Sequence, residues 1–168
     1  KISLLMKQNK LSVTDRRVIE PALKKAEETG APAAAIELAD GKIITGKTSN
    51  LLGACSAMLL NALKSLADIP DQVDILDAAV IEPIQKLKVD SLGSFNPRLH
   101  TDEILIALSM SAVTNPTAKL AMEKLPLLKD TDAHATVILS DTDTRTLKKL
   151  GIRLTTEPTY ETKRLYRK

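Results

Sequence analysis

The chain has 168 residues, of which 43% are hydrophobic and 27% are charged, and its formal net charge is +3. A chain of this length forms one domain with its own core, and its composition excludes a disordered or collagen-like protein. The longest apolar run, residues 104–113, contains two serines and is far shorter than the roughly 18 residues that span a bilayer, so we expect no membrane segment.

Cysteine content and charge distribution narrow the class of protein further. The single cysteine, Cys55, excludes an internal disulfide and every zinc site built from several cysteines. Residues 145–168 carry eight basic side chains against two glutamates but only two aromatic ones, so the stacking platforms of nucleic-acid binders are nearly absent and nucleic acid is not an expected partner. The chain begins with Lys1 and shows no secretory pattern, which favours a piece of a cytoplasmic protein.

The hydrophobic pattern of the first half predicts helices around a hairpin. In chain order, the predicted elements are a short helix at 2–10, a helix at 14–29, strands at 33–39 and 42–45, a helix at 49–67 and a strand at 73–76. Gly30 is the expected left-handed C-cap of the second helix, and Pro21 kinks that helix or marks its start. Asp40-Gly41 predicts a two-residue hairpin turn, and Ser49 is the expected cap of a helix that is apolar nearly all round.

The second half predicts further helices and two strands. In chain order, these are a helix at 79–89, a loop at 93–100, helices at 101–114 and 115–125, a strand at 135–139, a helix at 141–150 and a strand at 152–155. Pro83 is expected in the first turn of the first of these helices, and Thr101 and Asn115 are the expected caps of the next two. The helix that Thr101 caps has little polar surface, so we expect it to be buried.

Strands that alternate with helices predict a largely parallel sheet covered on both faces, and the hairpin makes that sheet mixed. The expected fold class is therefore α/β, a three-layer α/β/α sandwich with a mixed sheet. We expect a single α/β domain over residues 13–168, preceded by the remnant of a helical segment at residues 1–12.

A polar cluster at the entrance to a buried helix is the main candidate binding site. The cluster runs from Ser94 to Glu103, and its candidate ligand-binding residues are Asn96, Arg98, His100, Thr101 and Asp102. Arginine offers a bidentate fork, histidine a proton carrier near neutral pH, and a helix start free N–H groups, which together suit an anionic ligand. The alternative is structural, with the cluster only capping the helix and bracing the loop.

Residues 41–48 satisfy the expression of a phosphate-binding loop, G-x-x-x-x-G-K-[ST]. The run Lys-Ile-Ile-Thr prefers extended structure, and the glycine before it is explained by the hairpin turn, so we interpret the match as accidental. The helix start still offers a weaker anion-binding candidate, formed by Gly46, Lys47, Thr48 and Ser49.

The remaining chemically interesting side chains are interpreted as structural. Cys55 lies in an apolar stripe and is expected to be a core residue rather than a nucleophile. His134 is expected to be a surface histidine, since no second ligand follows at a useful spacing. We therefore expect neither a metal nor a cofactor.

The order of helix, hairpin, buried helix and alternating strands and helices resembles the cytidine deaminase superfold. That resemblance implies a zinc site built from H-x-E or C-x-E and from P-C-x-x-C. Here Cys55-Ser56-Ala57 lacks the glutamate and no second cysteine exists, so zinc-dependent deamination is not expected.

Several runs of residues resemble the C-terminal part of an uncharacterised bacterial family, domain of unknown function 1846 or the UPF 0371 proteins. These runs are 25–30, 84–88, 96–108, 115–116, 149–152 and 165–168. The resemblance covers nearly the whole chain. It implies that this is roughly the last third of a larger cytoplasmic protein, whose missing N-terminal region carries a Gly-rich stretch reminiscent of phosphate binding. It supplies no established activity and no catalytic residue.

We therefore expect a zinc-free, deaminase-like domain that serves as a binding or assembly module. Its expected partners are the missing N-terminal region and further copies of the chain, in a homo-oligomer. The alternative is an enzyme module that contributes a small anionic-ligand or nucleotide-related site around Arg98 and His100.

Overall fold

The computed structural model describes residues 16–160, which form a four-stranded sheet with helices on both faces. In chain order, the helices are α1 (Ile19–Thr29), α2 (Ala54–Leu66), α3 (Ala78–Lys86), α4 (Thr101–Ser111), α5 (Pro116–Met122) and α6 (Asp141–Lys149). The strands are β1 (Ala33–Glu37), β2 (Ile43–Lys47), β3 (Asp132–Ala135) and β4 (Arg153–Thr156). A π-helical turn, Leu87–Ser91, follows α3, and a 3-10 turn, Leu125–Leu128, follows α5. The helix predicted at 2–10 and the domain boundary at residue 12 lie outside the described residues.

The sheet has the order β2-β1-β3-β4 and is mixed, as expected. Strand β1 runs antiparallel to both β2 and β3, and only β3 and β4 are parallel. The prediction of a largely parallel sheet is therefore wrong. It relied on a strand at 73–76, but these residues form bends and irregular structure before α3. A single parallel crossover remains, through α6.

The hairpin joins β1 and β2 in the expected register, with Ile36 opposite Ile44. Its loop has three residues rather than two, because Leu38 donates its N–H to the carbonyl of Lys42 at 2.8 Å. Gly41 has φ of 88° and follows a tight turn closed by its own N–H and the carbonyl of Leu38. A two-residue type I′ turn would need a positive φ at Asp40 as well, and Asp40 does not adopt one.

Alternation along the strands places one set of side chains under α1 and the other under α2. Ala35 packs with Val18 and Ala22 on the α1 face. Ile36 points to the opposite face, where α2 forms the centre of the main core. Strand β2 approaches α2 closely, since a Cβ built on Gly46 would lie 2.2 Å from the backbone N of Met58.

Several predicted boundaries and caps are wrong. Helix α2 begins after Gly53, because Ser49 accepts hydrogen bonds from Leu51 and Leu52 in the preceding loop. Helix α4 is preceded by His100 at its N-cap position, so Thr101 is its first helical residue.

Two further boundaries differ in the second half. Asp77 caps α3, so Pro83 lies inside the helix rather than in its first turn. Strand β3 ends at Ala135, which is where the sequence placed its start. The expected cap at Asn115 is confirmed, since its side chain accepts from the N–H groups of Thr117 and Ala118.

The expectation that the helix at 101–114 is buried holds for only one of its faces. Ile104 and Leu108 are in the core, whereas Ile106, Met110 and Val113 are exposed. Within residues 16–160, none of the helices is both long and apolar enough to cross a bilayer.

Candidate functional site

Three helix starts and one loop surround a cavity of about 320 Å³. The helices are α2, α4 and α6, and the loop is the predicted binding loop before α4. The lining residues are Thr48, Gly53, Ala54, Cys55, Asn96, Arg98, Leu99, His100, Val137, Ile138, Leu139, Ser140, Asp143 and Tyr160. The cavity therefore joins residues that are far apart in the sequence and draws on both candidate sites.

The structure brings together three of the five candidate ligand-binding residues of the main cluster. Asn96, Arg98 and His100 line the cavity, whereas Thr101 and Asp102 do not. Thr101 is fully buried, and its N–H and hydroxyl both donate to Asp143, at 2.8 and 2.7 Å. Asp102 accepts the N–H of the next residue at 2.9 Å. These two residues organise the start of α4 rather than the cavity wall.

Of the weaker anion candidates, only Thr48 lines the cavity. Residues 43–47 are strand β2, so the backbone is extended where a phosphate-binding loop would have to curl. Gly46 is explained by its close approach to α2, and Lys47 is exposed at the end of the strand. Ser49 contributes its carbonyl, which accepts a hydrogen bond from Arg98 Nε.

Arg98 is held in place by backbone as well as side-chain contacts. It is only 6% exposed, and its Nε donates to the carbonyl of Ser49. Its own N–H donates to Asn96 Oδ1 at 3.0 Å, while its carbonyl accepts from Lys88 Nζ at 2.6 Å. The guanidinium therefore occupies a prearranged and buried position, where its charge is screened less by solvent than at an exposed surface.

Lys88, in the π-helical turn, links this loop to α4. Its Nζ is 2.8 Å from Glu103 Oε1, and its side chain is 8% exposed. The same carboxylate oxygen accepts the backbone N–H of His100 at 2.7 Å and lies 3.1 Å from His100 Nδ1. One carboxylate thus fixes both the backbone and the ring of the histidine that lines the cavity.

This cluster shifts the protonation of two groups. Burial alone would raise the pKa of Glu103, but hydrogen bonds from His100 and Lys88 outweigh it and lower that pKa to about 2. The hydrogen bond to Glu103 raises the pKa of His100 above its usual range, against burial and the charge of Lys88. Asp143 adds to this rise. His100 is therefore charged over a wider pH range than a free histidine.

The three helix starts at the cavity differ in how far their positive ends are neutralised. Helix α4 has Asp102 and Glu103 in its first turn, and α6 has Asp141 and Asp143. Helix α2 has no acidic residue in its first turn, and within residues 16–160 no side chain caps it. Its start, Gly53 to Cys55, lines the cavity. The unneutralised end of the α2 dipole therefore favours negative charge there.

Cys55 is confirmed as a core residue. It is buried in the main hydrophobic cluster, although one side of it borders the cavity. Burial raises the pKa of its thiol well above the usual range, and Asp143 adds to this effect. The thiol is therefore protonated and a poor nucleophile at neutral pH.

The prediction that His134 is a surface residue is wrong. His134 is buried in β3 on the α1 face of the sheet. Its Nδ1 is 2.7 Å from Thr155 Oγ1 and its Nε2 is 2.7 Å from Glu157 Oε2. Because the Thr155 hydroxyl accepts from Arg16 at 2.6 Å, its own proton is available to Nδ1, and Nε2–H donates to Glu157. Burial lowers the pKa of this imidazole and so favours its neutral form, although Glu157 opposes the effect.

Sequence reasoning missed Lys88, Asp143, Ser140 and Tyr160. The burial of Lys88 could not be predicted from the sequence, because a π-helical turn rather than a regular helix directs its side chain inward. The acidic first turn of α6 was a usable signal for Asp143, since such residues collect at helix starts. In the described part of the chain, no group of three histidine, cysteine, aspartate or glutamate side chains is placed to hold a metal ion.

The sequence matches the family described as domain of unknown function DUF1846, C-terminal, over residues 14–166. The chain belongs to this family. Similar relatives are the UPF0371 proteins of Streptococcus pneumoniae strain Hungary19A-6, at 52% identity, and strain P1031, at 53%. Each comparison covers all 168 residues of this DUF1846 domain and 34% of the relative. The chain thus spans about a third of the length of the curated relatives it matches.

Family membership confirms the resemblance found in the sequence, but it adds no activity, because these relatives are themselves named only as UPF0371 proteins. The resemblance to the cytidine deaminase superfold is not confirmed and stays a prediction. The cavity geometry is therefore what bears on the function of this DUF1846 domain.

Proposed function

We propose that this DUF1846 C-terminal domain binds a small anionic ligand in the cavity between the starts of α2, α4 and α6. The observation that carries the proposal is the convergence of buried Arg98, His100 and the unneutralised start of α2 on one cavity of about 320 Å³. These groups share one property, which is attraction for negative charge. A volume of this size suits a carboxylate or phosphate ester rather than a large cofactor.

The cavity also has an acidic side, which orients the ligand. Asp143 also lines the cavity and carries a charge opposite to that of Arg98. Its Oδ1 already accepts two hydrogen bonds from Thr101. We expect the anionic group of the ligand to lie near Arg98 and the first turn of α2. A hydroxyl or other donor of the ligand faces Asp143.

His100 makes the proposed binding dependent on pH. Glu103 raises the pKa of His100, so the ring gains its charge at a higher pH than a free histidine. A protonated ring attracts an anion and a neutral ring does not. Affinity should therefore rise as the pH falls through the raised pKa of His100.

The competing explanation is that the cluster only braces the loop. Arg98 and Lys88 do donate to backbone carbonyls, as a brace would. A brace does not account for the cavity, nor for the lack of acidic residues in the first turn of α2, which lines it. Ligand-dependent stabilisation separates the two explanations.

The test is a thermal-shift titration with inorganic phosphate, phosphate monoesters, nucleotides and small carboxylates, followed by calorimetry on any hit. A ligand at 100 times its dissociation constant stabilises by about 2.7 kcal/mol. The informative variants are Ala54→Asp and its near-isosteric control Ala54→Asn, which differ in charge at the start of α2. We expect Ala54→Asp to abolish the shift, and Ala54→Asn and Lys47→Ala to retain it.

Two results would contradict the proposal. One is the absence of a shift with every member of the panel in the wild-type chain. The other is equal loss of the shift in Ala54→Asp and Ala54→Asn, since charge would then play no part. If the wild-type chain binds no member of the panel and Arg98→Ala lowers the stability of the ligand-free chain, the bracing explanation is favoured.

The setting of this module is part of the same proposal. We place it in a cytoplasmic protein, with a zinc-free, deaminase-like framework and with the rest of the longer family protein as its partner. The share of each relative that the chain covers, 34%, supports such a partner. The alternative, an enzyme whose active site is completed by that region, uses the same Arg98 and His100.

A further inference from the structure

We propose that Arg16, His134 and Thr155 form an acid-sensitive latch at the start of α1, in which a proton on His134 and the docking of Arg16 on β4 oppose each other. Both side chains contact a single atom, the hydroxyl oxygen of Thr155. Arg16 Nη1 donates to this oxygen at 2.6 Å, and His134 Nδ1 lies 2.7 Å from it. None of the three residues lines the ligand cavity, so the latch is independent of the proposed ligand.

Docking of Arg16 attaches the start of α1 to the strand at the far edge of the sheet. Besides the shared hydroxyl, Arg16 binds the carbonyl of Arg153 in β4, to which its Nη2 donates at 2.8 Å. Its own carbonyl accepts the N–H of Ile19, the first residue of α1, at 3.2 Å. Further along the helix, Ala22 packs with Ala35 of β1, which β3 separates from β4. Loss of the Arg16 contacts would therefore free the start of α1 and leave the rest of the helix in place.

The neutral ring of His134 satisfies its partners in this arrangement. A guanidinium can only donate, so the Thr155 hydroxyl accepts from Arg16 and offers its own proton to Nδ1. The other ring nitrogen, Nε2, carries the hydrogen and donates to Glu157 Oε2 at 2.7 Å. The side chain of His134 is 1% exposed, so water does not replace a lost partner. The latch therefore holds Arg16 while the ring is neutral.

A proton on Nδ1 reverses the direction of the bond between His134 and Thr155. The hydroxyl would then accept from two cations, and its own hydrogen would lose Nδ1 as an acceptor. Two positive charges on one partly buried oxygen repel each other with less screening than at an exposed surface. Arg16 gives way rather than His134, because the ring is fixed in β3 between two strands, whereas the Arg16 side chain is 16% exposed and has access to solvent.

The carboxylates on the α1 face divide between the two cations. Glu157 lies 2.7 Å from His134 Nε2 and favours the protonated ring, whereas Asp132 lies 3.3 Å from Arg16 Nη2 and favours the docked arginine. Asp132 also accepts from Arg153 Nε at 2.8 Å, which weakens its hold on Arg16. Each cation therefore keeps one counter-charge, and the shared hydroxyl decides between them.

The other elements packed on β3 bring little further charge to the ring. From β1, Ala35 lies opposite His134, and Glu37 is paired with Arg17 at 2.7 Å. Helix α1 covers Ala35 with apolar side chains. Its charged residues are all at least partly exposed: Glu20, Lys24, Lys25, Glu27 and Glu28. The proton and Arg16 are therefore the main competitors at Thr155.

The protonation of His134 responds to these groups as the latch requires. Burial lowers the pKa of the ring, Glu157 raises it through a hydrogen bond and its charge, and the charge of Arg16 lowers it. Coupling between two binding events is reciprocal, so docked Arg16 weakens proton binding by the same factor as the proton weakens docking. Acidification through this pKa therefore detaches the start of α1.

The first test is a proton NMR titration of the histidine rings in the wild-type chain, Arg16→Gln and Arg17→Gln. Arg17 is the matched control, because it is the adjacent arginine and binds Glu37 instead of Thr155. We expect His134 of Arg16→Gln to bind its proton at least about threefold more tightly than in the wild-type chain, since a like charge has been removed. An unchanged proton affinity, or an equal increase in Arg17→Gln, would overturn the proposal.

The second test follows docking itself, through nitrogen-15 relaxation of the backbone amides of residues 16–19 above and below the pKa of His134. We expect their order parameters to fall from about 0.85 to below about 0.6 as the ring is charged, while those of α4 stay high. His100→Gln, which removes the other histidine, should retain this change, and His134→Gln, which is neutral at every pH, should lack it. The latch is refuted if residues 16–19 stay ordered in acid, if their loss of order persists in His134→Gln, or if the whole chain loses order together.

Discussion

Replacing Lys88 by methionine removes the cation that joins the binding loop to α4. Lys88 is 6% exposed and donates to the carbonyl of Arg98 and to Glu103 Oε1, at 2.6 and 2.8 Å. Removing one partner of a buried ion pair costs about 3–5 kcal/mol. The side chain of Glu103 is 26% exposed and keeps its contacts with His100, so we expect a loss near 3 kcal/mol, at the lower end of that range.

A loss of this size is measurable by urea and thermal unfolding followed by circular dichroism. For a domain of this length, each kcal/mol shifts Tm by roughly 2–4 °C, so Lys88→Met should melt about 6–12 °C lower. Lys86→Met is the matched control, because Lys86 is exposed two residues earlier and should change stability by less than about 0.5 kcal/mol. If Lys88→Met costs no more than Lys86→Met, the contacts of Lys88 do not hold the loop.

The same cluster predicts the behaviour of His100. The hydrogen bond to Glu103 raises the pKa of His100, so protonated His100 stabilises the folded state. This contribution to the free energy of unfolding is fully present below the ordinary histidine pKa of about 6.5 and is lost as pH rises through the raised value. Glu103→Gln should therefore lower the pKa of His100 and should destabilise the fold more at pH 6 than at pH 8. The chain has two histidines, so a proton NMR titration resolves both. An unchanged pKa of His100 in Glu103→Gln would refute this account of the cluster.

Two further predictions concern the sheet. Gly46→Ala should destabilise the fold by more than about 2 kcal/mol in urea unfolding, since the new Cβ would meet the α2 backbone at Met58. The control is Gly30→Ala, where the space around the new Cβ is open, so the substitution should cost only the strain of a positive φ. His134 should titrate below a free histidine in the NMR experiment, because burial lowers its pKa. As pH falls below about 6.5, the unfolded chain should therefore bind a proton at this residue before the folded chain does, which lowers the free energy of unfolding. A His134 ring that titrates above the free value would show that the contact with Glu157, rather than burial, dominates.

The sequence predicted features that depend on neighbouring residues. Gly30 ends α1 in the left-handed conformation, and Asn115 accepts from the N–H groups of the helix that it precedes. These contacts span at most four residues, so residue type and order determine them. The hairpin and the extended form of residues 43–47 are of the same kind.

The candidate site was predictable only in part. Asn96, Arg98 and His100 were recognisable because arginine, histidine and a helix start occur close together in the sequence. Thr48 and Asp143 belong to the same cavity, but nothing in their local sequence relates them to that loop. Lys88 escaped notice because only a π-helical turn points it at Glu103.

What the sequence determined by itself is therefore the end of α1 at Gly30, the cap at Asn115, the hairpin and the family to which the chain belongs. Only the tertiary structure decided which apolar residues are buried: Ile104 is in the core, whereas Met110 is exposed. It also decided that His134 is buried on the face of the sheet that α1 covers. The physical reason is that burial and convergence depend on contacts between distant segments. A hydrophobic pattern shows that a residue prefers to be covered, but the packing of other elements settles whether it is.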